Sequence, residues 1–291
     1  MQIKPTRSGA SEFLKTFNAA FSDSWVLSKQ DPERLFNLRC SQIPYCPNSV
    51  LQNFGERGMQ QATNAMSAYY FAVGHAVHDV MQRYLQESGQ LIADYTCREC
   101  GKKYPLSMKY ECCGYPTKYE EITIEYKGIV GHIDAVFKDS AGRIWIIDFK
   151  TSSTASAPAK GRKPSAGYSL QVRAYAYLLG KQYGLDVYGC MLVFLPRDNP
   201  KTPAIWEHKM TPREYTKVRN ELIEQKALHK LTMACESVTQ YKRLLKSRCG
   251  GDYCRYCKRS DKQLLGAFTR FVKSGKYPIS KYRKLKAITK E

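Results

Sequence analysis

The chain has 291 residues, 46 Lys and Arg against 26 Asp and Glu, and a net charge of +20. That length can bury a proper core in one large domain, or in one domain with small attached modules. No apolar run approaches the ~18 residues of a membrane span, and the N-terminus has no signal-peptide core, so the expectation is a soluble cytoplasmic protein with no membrane partner.

The charge excess favours polyanionic partners, nucleic acid first. Eleven cysteines without a secretory signal read as metal ligands or buried thiols rather than disulfides. They cluster as Cys40 and Cys46, as four residues at 97–113, and as three at 249–257. Cys190 and Cys235 sit alone in apolar contexts and read as core residues.

Residues 1–55 are mixed, with Pro44 and Pro47 around Cys46. From Asn64 to Glu87 the pattern is helical, with Ala65, Tyr69, Ala72, Ala76, Val80 and Tyr84 spaced by three and four. Gly74 and His78 are one turn apart on this helix. Gly74 would permit close approach of a neighbour, and His78 would project inward as a candidate metal ligand suited to Mn²⁺. A structural histidine is the alternative.

Residues 95–119 form a cysteine-bearing insert. Cys97-x2-Cys100-Gly101 is a knuckle that delivers two thiolates from a tight turn, and Cys112-Cys113-Gly114 would complete a structural zinc site. Arg98, Lys102, Lys103 and Lys109 would give that insert a DNA-gripping face or an ordinary solvated one.

Residues 120–138 and 143–150 read as strands. Strands 129–139 and 143–150 flank Ser140-Ala141-Gly142, a three-residue hairpin loop with Gly at its left-handed position. Asp139 then lies opposite Arg143, and Asp134 opposite Asp148. Opposed residues share a face, with Cβ atoms about 4.5–5.5 Å apart, and Lys150 points to the same face.

Two carboxylates so placed repel each other and call for a hard cation, Mg²⁺ or Mn²⁺. Such ions polarise a phosphoryl oxygen and activate water, with Lys150 orienting that water or stabilising developing charge. A loop of two residues would turn the aspartates to opposite faces.

Residues 151–169 are small, polar and basic, which marks a loop. Its Lys160, Arg162 and Lys163 are candidate phosphate contacts, or plain loop charges. A helix is expected from near Leu170 to Gly180 or Gly184, with Gln171 and Tyr175 on one face as hydrogen-bonding groups. Residues 187–196 read as a buried strand. Thr211-Pro212-Arg213-Glu214 starts a helical region running to about Lys246. Residues 258–291 carry eleven Lys and Arg against two acids. A helix followed by a mobile basic end is expected there.

The order Gly74-x3-His78, Gly131-x2-Asp134, Asp148-x-Lys150 and Gln171-x3-Tyr175 resembles the PD-(D/E)XK nuclease superfamily in its RecB-type branch. The resemblance implies an α/β fold, a restriction-endonuclease-like core with a mixed central sheet flanked by helices. It implies that His78, Asp134, Asp148 and the Phe149 carbonyl bind Mg²⁺ or Mn²⁺. Lys150 would activate water, supported by Gln171 and Tyr175.

Cys249-x4-Cys254-x2-Cys257 also resembles the cysteine motif of AddB and the CRISPR-adaptation nucleases, which place one cysteine before the core and three after it. That implies a 4Fe–4S cluster on Cys46, Cys249, Cys254 and Cys257, with Cys40 as the other choice for the first ligand. The spacing departs from the usual one, and zinc remains the alternative metal.

The expected organisation is an N-terminal segment with the histidine helix (1–94), the zinc insert (95–119) and the catalytic sheet with the Gln171 helix (120–210). A helical region closing the cysteine cluster (211–257) and a basic tail (258–291) follow. The expected activity is a metal-dependent DNA exonuclease on single strands or duplex ends. Its context would be recombination, repair or phage DNA processing, with recombination or replication proteins as partners. The alternatives are a non-catalytic nucleic-acid-binding module on the same fold and a structure-specific endonuclease.

Overall fold

A computed structural model of the chain describes residues 38–42, 65–198 and 202–233. Its described elements begin with β1 (Leu38–Arg39) and a 3-10 turn (Cys40–Gln42), followed by α1 (Ala65–Glu87). The strands β2 (Leu91–Thr96), β3 (Lys103–Ser107), β4 (Glu111–Cys112), β5 (Tyr115–Pro116) and β6 (Lys118–Glu120) come next. Then come β7 (Ile122–Tyr126), β8 (Ile129–Ile133), β9 (Ala135–Lys138) and β10 (Ile144–Ser152). The chain continues through α2 (Ala157–Arg162), α3 (Ala166–Tyr183), β11 (Val187–Pro196), β12 (Ala204–Lys209) and α4 (Pro212–Met233).

The main sheet has the order β12-β11-β10-β9-β2-β3, with β6 also on β2. β10 and β11 are parallel and the other pairings in this sheet are antiparallel, so the sheet is mixed, as expected. A second sheet has the order β1-β8-β7. β10 and β11 are apolar because both of their faces are covered. On one face Ile146, Cys190, Leu192 and Phe194 pack with Val172, Tyr175 and Leu179 of α3. On the other, Ile147, Phe149 and Val193 pack with Met81 and Leu85 of α1. α3 is bounded by Ser165, whose side chain accepts the Tyr168 N–H, and by Gly184 in the left-handed conformation at φ 69°.

Several sequence expectations are corrected. The apolar stripe on α1 faces outward: Tyr69, Val80 and Tyr84 are 43%, 44% and 63% exposed. The inward face carries Gly74, His78, Met81, Gln82 and Leu85, and three of those five are polar or bare, so apolar periodicity selects the wrong side. The stretch 120–138 holds the end of β6 and the strands β7, β8 and β9, and the expected hairpin strand 129–139 breaks at Asp134. The loop 151–169 is shorter than expected, because β10 runs to Ser152, α2 occupies Ala157–Arg162, and α3 starts at Ala166. Ser156 and Pro158 favour that short helix start.

Candidate active site

The hairpin has the register predicted from its loop length. Ile144 pairs with Lys138, and Ile147 with Ala135. Gly142 takes φ 78°, and Asp139 N–H donates to the Arg143 carbonyl at 3.0 Å. Asp134 and Asp148 stand one step beyond the last pair. Alternation from the hydrogen-bonded Asp139–Arg143 pair makes theirs a non-hydrogen-bonded position, where side chains approach most closely.

At Asp134 the chain leaves β10. Residues 129–133 pair with β7, and pairing with β10 begins only at Ala135. Continued pairing would have set Ile133 against Phe149. The departure frees both backbone groups of Phe149, which must find other partners. Its N–H donates to Asp134 Oδ2 at 2.8 Å, and its carbonyl lies 2.9 Å from His78 Nε2. His78 Nδ1 is 3.5 Å from Asp134 Oδ2. A histidine, an aspartate and a main-chain oxygen thus converge at one unzipped point of the sheet.

Asp148 is 1% exposed, on the face toward α3. Gln171 Nε2 lies 3.3 Å from its Oδ1 and 2.9 Å from the Tyr175 hydroxyl, and donates toward both. Lys150 Nζ lies 2.6 Å from Asp148 Oδ2 and 5.1 Å from the centre of the Tyr168 ring. Of the two motif glycines, Gly131 has a steric reason and Gly74 has only ordinary contact around it. A Cβ on Gly131 would stand 2.6 Å from Tyr175 Cε1, and one on Gly74 would meet Thr151 Oγ1 at 3.7 Å.

Electrostatics and satisfaction test whether a cation fits. Burial, then the neighbouring Asp148 charge, pushes the Asp134 carboxyl well above its usual range. Burial and then the Lys150 charge push the His78 imidazole down, toward the neutral form that ligates metals. Burial opposes the charge on Lys150, but Asp148 and Asp134 outweigh it and raise its pKa. Asp148 Oδ2 is buried and lies 2.6 Å from Lys150 Nζ, an ammonium–carboxylate pair that leaves this oxygen a further lone pair for a cation. Three oxygen donors and a neutral imidazole fit Mn²⁺ or Mg²⁺.

The insert brings its four cysteines together. The sulfurs of Cys97, Cys100, Cys112 and Cys113 lie within 4.8 Å of one another. Cys100 and Cys112 are 3.8 Å apart, and Cys112 and Cys113 are 3.7 Å apart. A tetrahedron with metal–sulfur bonds of ~2.3 Å has an edge of ~3.8 Å. The Cys100 N–H donates to Cys97 Sγ and is the main cause that brings this thiol down to about 7. Contact with Cys100 is the main cause pushing Cys113 up to about 12. Adjacent ligands are possible because Cys113 and Gly114 both take positive φ, 55° and 78°, which folds the chain back at that corner. This four-cysteine group can hold a metal.

Lys160 donates to Ser152 Oγ at 2.9 Å, just past the end of the Lys150 strand's site, while Arg162 and Lys163 are exposed. Cys190 is a core residue, as expected. Cys40 is fully buried against Gly131 and Tyr175, and burial pushes its thiol far up. Cys46, Cys235, Cys249, Cys254, Cys257 and the basic tail lie outside the described residues.

Sequence reading missed Gln82, Tyr119 and Tyr168. Gln82 is one turn past His78 on the same face, so the 74–78–82 spacing carried the signal. Tyr119 and Tyr168 carried none, because their partners lie on other elements.

The sequence profile of the PD-(D/E)XK nuclease superfamily matches residues 109–261, and the chain belongs to that superfamily. None of the curated proteins matches it. Among solved structures, SSO0001 is 14% identical, with 86% of this chain and 97% of that one covered and a TM-score of 0.45. The alkaline exonuclease LHK-Exo from Laribacter hongkongensis is 14% identical over 80% and 97% of the two chains, at a TM-score of 0.39. A phage-related exonuclease from Haemophilus somnus 129PT is 13% identical over 72% and 96%, at 0.40. Among the described residues no helix is long and apolar enough to cross a membrane.

Proposed function

We propose that the chain is a divalent-metal-dependent deoxyribonuclease of the RecB-type branch, acting as an exonuclease on single strands or duplex ends. One observation carries the hydrolytic reading: Asp134, Asp148, Lys150, His78 and the Phe149 carbonyl meet where β9 parts from β10. The choice of branch and the exonuclease mode rest on the four motifs in their order along the chain.

His78, Asp134, Asp148 and the Phe149 carbonyl would hold Mn²⁺ or Mg²⁺, which when bound polarises the scissile phosphate and lowers the pKa of water. The chain's own residues do the rest. Gln171 fixes one oxygen of Asp148, and Tyr175 fixes Gln171. Lys150 stays protonated beside Asp148 and the Tyr168 ring, positioned to hold a water or to offset charge growing on the phosphate. Arg162 and Lys163 would meet the DNA backbone from α2, with Lys160 shared between Ser152 and a phosphate.

The four-cysteine centre of the insert is assigned to Zn²⁺ as a structural site. A 4Fe–4S cluster is assigned to Cys46, Cys249, Cys254 and Cys257, and iron and sulfide analysis of anaerobically purified protein tests it against a second zinc.

Cleavage of end-labelled DNA with Mn²⁺ tests the function. Wild type is expected to degrade linear DNA and spare circular single strands, and Lys150→Ala is expected to lose ~10²–10³-fold in rate. Wild type and Lys150→Ala equally inert on single-stranded, duplex and branched DNA would favour a binding module instead. Cleavage of circles would assign an endonuclease.

A further inference from the structure

The carbonyl of Asp134 sits at a second fork. β2 pairs with β9 at Leu91–Phe137 and Ile92–Val136, and then turns away to pair with β6 and β3. In the abandoned register Asp134 would have faced Asp94, which pairs with Glu120 instead. Its carbonyl is therefore without a strand partner. Two side chains replace that partner: Gln82 Nε2 donates to it at 2.8 Å and the Tyr119 hydroxyl at 2.9 Å.

Both donors lead to the cysteine insert. Tyr119 is the middle residue of β6 and pairs with Tyr95 of β2, and their rings meet edge-on at 6.3 Å. β2 runs directly into Cys97, and β6 starts four residues after Gly114. The four sulfurs close the chain between these two strands, so a bound metal would lock their pairing. α1 adds a parallel tie. Gln82 also donates to Glu121 Oε1 at 2.9 Å, and Gln86, one turn on, donates to the Thr117 carbonyl at 3.1 Å. His78, Gln82 and Gln86 thus join the nuclease centre to the exit of the insert along one helix face.

We infer that the four-cysteine metal centre sets the position of Asp134 through Tyr119, with Tyr119 and Gln82 as positioning residues for the nuclease cation. This rests on the reading of Asp134 as a ligand to that cation. Filling the cysteine site stiffens β2 and β6, Tyr119 then holds the Asp134 backbone, and the carboxylate is presented to the cation without a rearrangement. Partners of this kind typically change metal affinity by ~10–100-fold when removed. Because two donors share the Asp134 carbonyl, removing one leaves the other in place.

The test is Mn²⁺ binding, followed by calorimetry and electron paramagnetic resonance on the full chain with zinc content measured. Tyr119→Phe, with zinc retained, is expected to weaken Mn²⁺ binding by ~3–10-fold, and Tyr119→Phe with Gln82→Met by ~10–100-fold. Cys113→Ser, having lost its zinc, should weaken it in the same direction, and zinc withdrawal from wild type by a zinc chelator, removed before Mn²⁺ is added, covers the case where that variant does not fold. Asp134→Asn is the reference and should abolish Mn²⁺ binding at this centre.

If Asp134→Asn abolishes binding while Tyr119→Phe and zinc-free protein bind Mn²⁺ like wild type, the inference is overturned and the nuclease reading stands. A lower melting temperature in Tyr119→Phe with unchanged Mn²⁺ affinity also overturns it, leaving Tyr119 a merely structural residue. Wild-type Mn²⁺ binding by Asp134→Asn would overturn the metal-ligand reading itself, and the inference with it.

Discussion

Gly131→Ala probes how two distant motifs meet. The added methyl carbon would stand 2.6 Å from Tyr175 Cε1, 3.0 Å from Cδ1 and 3.1 Å from Cys40 Sγ. Ordinary carbon contacts begin near ~3.5 Å, so the ring must retreat by roughly 0.9 Å. It has little room, because Tyr175 is 4% exposed and Cys40 fully buried. Overpacking of this kind costs about 1–3 kcal/mol. In a chain of this size that lowers the melting temperature by roughly 2–12 °C, at about 2–4 °C per kcal/mol.

The displaced ring also draws its hydroxyl from Gln171, which sits between Tyr175 and Asp148. Misplacement near ~1 Å can cost ~10²-fold in rate, so DNA cleavage at saturating Mn²⁺ should fall by ten- to a hundredfold, roughly. The paired assays are thermal unfolding and cleavage rate, with Tyr175→Leu added to relieve the clash. The double variant should be less destabilised than the sum of the singles. A Gly131→Ala protein that melts within about 1 °C of wild type, or strict additivity with Tyr175→Leu, would refute the close-approach account.

Asp134 holds its proton to higher pH in the folded protein than in the unfolded chain, chiefly through burial and then through Asp148. Stability of metal-free protein therefore falls as pH rises from about 4 toward that raised value. Metal-free Asp134→Asn should melt above wild type at about pH 8 and lose that advantage toward about pH 4, as read by calorimetry. Asp139 behaves oppositely: burial opposes its ionisation, but hydrogen bonds from Trp145 and Arg143 prevail and lower it to about 2. Its contribution is present above about pH 4 and lost as pH falls toward 2, so the deficit of Asp139→Asn should shrink across that window. Gly184→Ala serves as a control remote from the chemistry. The left-handed backbone at φ 69° should cost about 1 kcal/mol in unfolding experiments and leave the cleavage rate unchanged.

The readable parts of the site are those fixed by local counting. A three-residue loop with glycine at its last position determines which hairpin residues oppose each other, so the facing of Asp134, Asp148 and Lys150 could be read from a dozen letters. Helical spacing likewise put Gln171 and Tyr175 together. The α1 stripe marks the helix but not its inner face, for a physical reason. The helix face turned toward the site carries glycine, histidine and glutamine because it serves backbone groups of the sheet, while tyrosine and valine are left on the outside. α2 was hidden in a segment whose small polar composition resembles a loop. The partners of Asp134 were unreadable because the strand departures that create them depend on β2, β6 and β7 choosing other neighbours.

Those departures explain why one residue, Asp134, meets so many partners. Inside a regular sheet every backbone donor and acceptor is used by the adjacent strand, and a side chain there meets only other side chains. Where β9 parts from β10, Phe149 offers its carbonyl outward and takes the Asp134 carboxylate on its N–H. Where β2 parts from β9, the Asp134 carbonyl is taken by Tyr119 and Gln82. The aspartate is thus gripped through its side chain from one strand and through its main chain from another, and the grip costs no ladder bond that the sheet was still using. A histidine or carboxylate set on an unbroken strand would lack the main-chain oxygen as a companion. The candidate position is better described as a gap in the hydrogen bonding of the sheet than as a cluster of charged residues on a surface. The insert belongs in the same picture, because β2 runs into it after parting from β9.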